Sequence, residues 1–166
     1  MRLLLISALG LLILVTPIAA APADETPSWV QQAVAIKVPA YEKDVPAVVL
    51  VDESVSAIGS DGKQNESYNY AVRILRREGR GYALGQVSYI PNISKVKDFR
   101  AWLVRPDGSI KRYGKDDVMD VAGDLNDVYN EFRVKKISGS DEADTGAVFA
   151  YTYAREDRSV FSQAEW

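Results

Sequence analysis

The chain has 166 residues, 47% of them hydrophobic, with 20 basic and 23 acidic side chains; that is core material for one domain, and a net charge of −3 makes nucleic acid an unexpected partner, since phosphate backbones are bound by surplus positive charge. There is no cysteine and no histidine, which excludes a thiol nucleophile, Ser-His-Asp and Cys-His arrangements, a disulfide framework and ordinary zinc, haem or iron–sulfur sites. Carboxylate, lysine or hydroxyl chemistry remains, or none.

Among the first 23 residues only Arg2 is charged; an apolar run from Leu3 to Val15 follows, then a small-residue stretch from Thr16 to Ala23. Basic start, apolar middle and small-residue exit predict a secretory signal peptide over residues 1–23, with cleavage after Ala20 or Ala23. As a membrane anchor the run is short, about 16 apolar positions before Pro17 against the roughly 20 that span a bilayer. An exported chain without cysteine fits a bacterial periplasm or exterior. Two sequons, at Asn65 and Asn92, would matter only in a glycosylating host.

From Pro27 to Val38 the offsets of Trp29, Ala33 and Ile36 predict a short amphipathic helix with Ser28 as its N-cap and Pro39 as its stop. A proline-punctuated linker runs to Pro46, so residues 24–46 form a helix-and-linker segment ahead of a β-rich domain, residues 47–166. Ala47 to Val51 (AVVLV) reads as a strand covered on both faces, and Glu53 to Ile58 as a second one ending at Ser60-Asp61-Gly62. Tyr68 to Leu75 alternates, with Tyr68, Tyr70, Val72 and Ile74 on one face and Asn69, Ala71 and Arg73 on the other. Past Gly79 and Gly81, Tyr82 to Ile90 is expected to pair back on that strand as a hairpin.

Val96 to Arg105 puts Phe99, Ala101 and Leu103 on one face and Arg100, Trp102 and Val104 on the other. It ends at Pro106-Asp107-Gly108-Ser109, a turn with preset φ and a free glycine, and returns through Ile110 to Tyr113. An acidic loop from Lys115 to Asp127 precedes a strand from Val128 to Ile137 with Phe132 and Val134 inward. A polar turn, Ser138 to Thr145, leads to a last strand from Ala147 to Arg155. The chain then reaches Trp166 with no polar tail. It reads as incomplete there, its last strand expected to lack a neighbour and to promote self-association. The sum is a mostly β domain, an antiparallel sandwich-like or curved-sheet fold with a short N-terminal helix behind a signal peptide.

Candidate chemistry is sparse. The acids Asp116, Asp117, Asp120, Asp124 and Asp127 suggest a hard-cation loop, and counting an EF-hand from Asp120 places Glu131 at position twelve. Ala122 and Leu125 then fall where an oxygen ligand and a glycine are needed, so a solvated acidic loop is expected. Gly79, Gly81 and Gly85 come close to a dinucleotide fingerprint, but strand leads to strand there, where that fingerprint needs a helix. Asp52, Glu53 and Asp98 are expected as surface charge rather than a glycosidase pair. Tyr68, Tyr70, Tyr82, Tyr89, Trp102, Tyr151 and Tyr153 suit either a sugar- or peptide-binding groove or core packing, with packing expected. No residue is assigned as catalytic, metal-binding or cofactor-binding.

Several features occur in order: Pro27-Ser28-Trp29-Val30, Ala47 to Glu53 (AVVLVDE), Asp61-Gly62, Tyr70 to Leu75 (YAVRIL), Arg105 to Tyr113 (RPDGSIKRY), and Gly146 before AVFAYTYARED. Over residues 27–166 this resembles the bacterial domain of unknown function 3857, which is found in exported proteins ahead of a transglutaminase-like domain of papain-type fold. The resemblance implies a β-rich, non-catalytic accessory domain that binds or positions a partner, with the catalytic Cys-His-Asp region absent from this chain. An independent envelope protein binding glycan or peptide is the alternative, and a carboxylate-dependent hydrolase a third.

Overall fold

The computed structural model describes residues 25–123 and 132–159. The predicted signal peptide, the acids Asp124, Asp127 and Glu131, and Trp166 lie outside them.

A helix, α1 (Ser28–Ala35), precedes eight strands: β1 (Ala47–Ile58), β2 (Gln64–Ile74), β3 (Leu84–Tyr89), β4 (Ser94–Val104), β5 (Ile110–Tyr113), β6 (Met119–Ala122), β7 (Arg133–Ser138) and β8 (Val148–Asp157). They form two antiparallel sheets, one in the order β1-β2-β8-β4-β5 and one in the order β3-β7-β6. Between the sheets lies a core built on Val72, Ile74, Leu103, Ile137 and Phe149. The other face of the large sheet carries a second cluster, in which Val30 and Ala33 of α1 pack on Ala71, Trp102, Val148 and Ala150. The layers are therefore helix, five-stranded sheet, three-stranded sheet. The mostly β expectation holds, helix included.

Double coverage explains the sequence of the central strands. Ala101 to Val104 and Val148 to Tyr151 are buried residue after residue, because at that end one face meets α1 and the other the small sheet. The alternation expected for β2 and β4 holds, with Tyr68, Tyr70, Val72 and Ile74 toward one cluster and Ala71 toward the other. The β4–β5 turn forms as expected: Gly108 takes φ 83, Arg105 N–H donates to Ser109 O at 2.9 Å, and Asp107 Oδ1 accepts from Ser109 N–H.

Five expectations are corrected. α1 begins at Ser28 after Pro27, with no side-chain cap, and stops at Ala35; Ile36 is exposed while Val30 and Ala33 are buried. Its C-terminal carbonyls are satisfied from β2, where Arg73 donates to Val34 O and Ile36 O. The run AVVLV is not covered on both faces but begins an edge strand continuous through Ile58, with Val49 50% exposed. A bulge between Val49 and Val51 lets the consecutive residues Leu50 and Val51 both pack on the α1 cluster, which breaks the alternation.

Tyr82 to Ile90 does not pair back on β2. A short 3-10 helix (Arg77–Tyr82) with Gly79 pressed on the Pro46 carbonyl, and Arg80 bonded to Ala143 O, carries the chain into the second sheet, where β3 pairs with β7. In β7 the inward residue is Ile137, and Phe132 is 37% exposed; the phase is opposite to the expected one because Val134 pairs with Val121 on the outer face. The last strand does not lack a neighbour. β8 is the centre of the large sheet, paired with β2 along Gln64–Arg73 and with β4 along Ser94–Val104.

Candidate functional site: the polar mouth between the sheets

Beyond the apolar core the two sheets present polar and aromatic side chains to the same side. On the large sheet Tyr68 pairs with Tyr153 and Tyr70 with Tyr151, while Glu66 pairs with Arg155. Such directly opposed residues put their side chains on one face. The result is a tyrosine ladder: ring centroids lie 5.2 Å apart for Tyr68–Tyr153, 5.3 Å for Tyr70–Tyr151 and 5.8 Å for Tyr68–Tyr151. Tyr151 is buried and touches β3, where a Cβ on Gly85 would come within 2.9 Å of its ring. The other three rings are half-buried.

The rim of the ladder is a polar network, paired side chain to side chain except at Asp157 Oδ1, which is buried without a partner among the described residues. Tyr68 donates to Asp52 Oδ1 at 2.6 Å, while Ser54 and Tyr153 donate to Glu66 Oε1. Arg155 pairs with Glu66 Oε2 at 3.0 Å and Asp157 Oδ2 at 3.2 Å, and donates to Ser88 O across the sheets. On the small sheet Asp120 accepts from Tyr89 at 2.6 Å, from Arg133 Nε at 2.9 Å and from Lys135 at 2.9 Å. The acidic segment is therefore not simply a solvated loop: Asp120 lies in β6, tied to β3 and β7. Asp117 closes a 3-10 turn by accepting from Gly114 N–H.

The electrostatics follow from these partners. Burial is the largest influence on Asp120 and pushes its carboxyl up, yet the hydrogen bonds from Tyr89, Lys135 and Arg133 together overcome it and hold the group at about 2. Burial raises Tyr151 to about 12, helped by the neighbouring tyrosines, and raises Tyr153 to about 12 with help from the Glu66 charge. Tyr68 is raised by burial and by its bond to Asp52. At neutral pH these hydroxyls are protonated donors and Asp120 is an ionised, weakly basic acceptor. A general acid or base needs the opposite tuning, toward neutrality.

The other sequence candidates separate. Trp102 lies on the far face, edge-on to Trp29 at 6.1 Å, so the seven aromatic candidates do not form one groove; Tyr82 is 54% exposed and close enough to Tyr70 to influence its hydroxyl. Asp98 occupies the β4 bulge with φ 51. Gly79, Gly81 and Gly85 belong to the 3-10 turn and β3, with no helix N-terminus for a phosphate. Among the described residues no three acidic side chains gather as a metal site, and no helix is long and apolar enough to cross a membrane. Sequence reasoning missed Glu66, Arg133, Lys135, Arg155 and Asp157, whose meaning depends on strand pairing; only the alternation of charge and tyrosine along β2 and β8 hinted at it.

A profile for a domain of unknown function with a solved structure, DUF3857, matches residues 60–165. No protein of curated function matches. Among solved structures, the crystal structure of a "putative protease" from Parabacteroides distasonis superposes with a TM-score of 0.58 at 15% identity, over 68% of this chain and 23% of that one. At that identity the likeness is one of fold, and this chain spans less than a quarter of that protein's length.

Proposed function

The chain belongs to the domain of unknown function 3857 family, and from that premise we propose that it is a non-catalytic interaction module of an exported bacterial protein, holding a partner for a transglutaminase-like catalytic domain. The observation that carries this reading is the internal pairing of the mouth: its carboxylates Asp52, Glu66, Asp120 and Asp157 each accept from or pair with a neighbouring side chain, although Asp157 Oδ1 is buried without a partner among the described residues. Its tyrosines are held protonated. Such a network rigidifies a domain, and Asp120 and the ladder tyrosines are tuned away from neutrality, the opposite of what a general acid or base needs. The signal-like residues 1–23 support export, and the match to a fraction of a longer protein supports the role of one module among several.

The test pairs two assays on the purified chain. Alone it should turn over no peptide, glutamine amide or glycan substrate. Added to the transglutaminase-like domain of its own genome, it should change that enzyme's kcat/KM. Turnover by the chain itself, abolished by Glu66→Gln or Asp52→Asn with the fold intact, would overturn the reading in favour of a carboxylate hydrolase.

A further inference from the structure

An interaction module needs a surface to interact with, and the fold exposes one at the outer edge of β1. This strand ends the five-stranded sheet, pairs only with β2, and bonds through its free edge to none of the described residues. It is 12 residues long, whereas the other edge strands β3, β5 and β6 have six, four and four. Alternation along an antiparallel pair leaves about half of its backbone groups facing outward, a template for another strand. Proteins usually blunt long edges with proline or lysine. Ala47–Ile58 contains neither; its protective devices are the bulge at Val49/Val51 and the acids Asp52 and Glu53, and Val51–Ile58 is the regular stretch.

Side chains along this stretch say what would pair with it. Val55 is 65% and Ile58 77% exposed, and Val55 and Ala57 border an open hollow of about 220 Å³ floored by Ser67 and Ala154. α1 covers the same face of the sheet only further up, at Ala71 and Ala150. The only charges on β1 are Asp52 and Glu53, adjacent and so on opposite faces. A second copy paired antiparallel about a two-fold at these residues would set Asp52 against Asp52, or Glu53 against Glu53, of its mate, a repulsive juxtaposition. A basic residue there would be attracted.

Resting on the module reading, we propose that the β1 edge captures an extended segment of a partner protein as a sixth strand. That segment carries lysine or arginine opposite Asp52–Glu53 and apolar side chains beside Val55 and Ile58. Main-chain bonds would supply affinity and the alternating side chains selectivity.

The probe is a blocked nine-residue peptide with two adjacent lysines, one for each face at Asp52–Glu53, and valines at the positions that would lie beside Val55 and Ile58, tested on the full chain by amide hydrogen exchange. Two control peptides carry glutamate for lysine, or N-methyl groups on alternate backbone amides. Slowed exchange confined to Val51–Ile58, weaker with glutamate and absent with N-methylation, is the expected result. Glu53→Lys should weaken binding about fivefold without unfolding the chain. Protection at β3, β5 or β6, equal binding of the N-methylated peptide, no binding at millimolar peptide, or a peptide-independent dimer through β1 would each overturn the proposal. Those failures leave the module reading standing, because that one falls only on turnover by the isolated chain or on no effect upon the enzyme.

Discussion

Replacing Asp120 by asparagine keeps the shape of the side chain and removes the charge that gathers Tyr89, Arg133 and Lys135 around β6. Its carboxyl falls from an ordinary 3.8 to about 2 in the fold. At 1.36 kcal/mol per pKa unit that gap is worth roughly 2.4 kcal/mol, and partial exposure reduces it to about 1–2 kcal/mol. The folded value is depressed, so the contribution is complete above the unfolded value and is lost as pH falls from about 4 to about 2. Urea unfolding should show Asp120→Asn less stable by about 1–2 kcal/mol at pH 7, a midpoint shift of roughly 0.5–1 M. The difference from the unmutated chain should shrink on acidification and vanish near pH 2. A gap that stays constant from pH 6 to pH 2, or no loss at pH 7, would show that the cluster does not tie β6 to the sheet.

Phe149→Ala removes a fully buried ring between the sheets, beside Tyr113 and Tyr151, and should cost about 3–5 kcal/mol in chemical denaturation. Gly85→Ala drives a methyl against Tyr151 and should cost about 1–3 kcal/mol, while Gly81→Ala, with nothing within 4 Å, should leave the denaturation midpoint within about 0.5 kcal/mol of its original value. Tyr151 and Tyr153 are raised from 10.0 to about 12, so the stability they contribute is complete below pH 10 and lost as pH rises toward 12. Ultraviolet titration of phenolate should therefore show a cooperative step coincident with loss of circular dichroism; smooth ionisation of every tyrosine near pH 10 would contradict the ladder.

Local signals were the legible ones. Proline and glycine placed the β4–β5 turn, and alternation phased β2 and β4, because each depends on residues a few positions apart. Sheet order was not legible. Setting β8 between β2 and β4 joins Tyr70 to Tyr151 and Ala101 to Tyr151 across gaps that no local pattern spans. β7 shows the same limit on a smaller scale. Val134 and Ile137 are both apolar but lie on opposite faces, and only the pairing with β3 and β6 decides which one meets the core. The mouth was illegible for that reason too: Glu66 and Arg155 look like ordinary surface charge until the β2–β8 register sets them side by side.

Continuous apolar runs carried two meanings, and the difference bears on where binding surfaces lie. AWLV in β4 and VFAY in β8 are buried residue by residue because α1 and the small sheet clamp the large sheet there. AVVLV in β1 has similar composition but sits at an edge, where a bulge diverts two of its residues to the helix side and leaves Val49 exposed. Along β2 and β8 polarity returns where the clamp ends, at Tyr68 and below and at Thr152 and beyond. On the inner face that boundary opens the tyrosine mouth, whose carboxylates are each bonded to or paired with a neighbouring side chain. On the outer face it leaves the hollow beside Val55 and Ala57, where unpaired backbone and apolar side chains coincide. Of the two surfaces, the outer one offers a continuous row of backbone groups unpaired among the described residues, beside exposed apolar side chains, and that is why a partner is better sought at β1 than at the tyrosines.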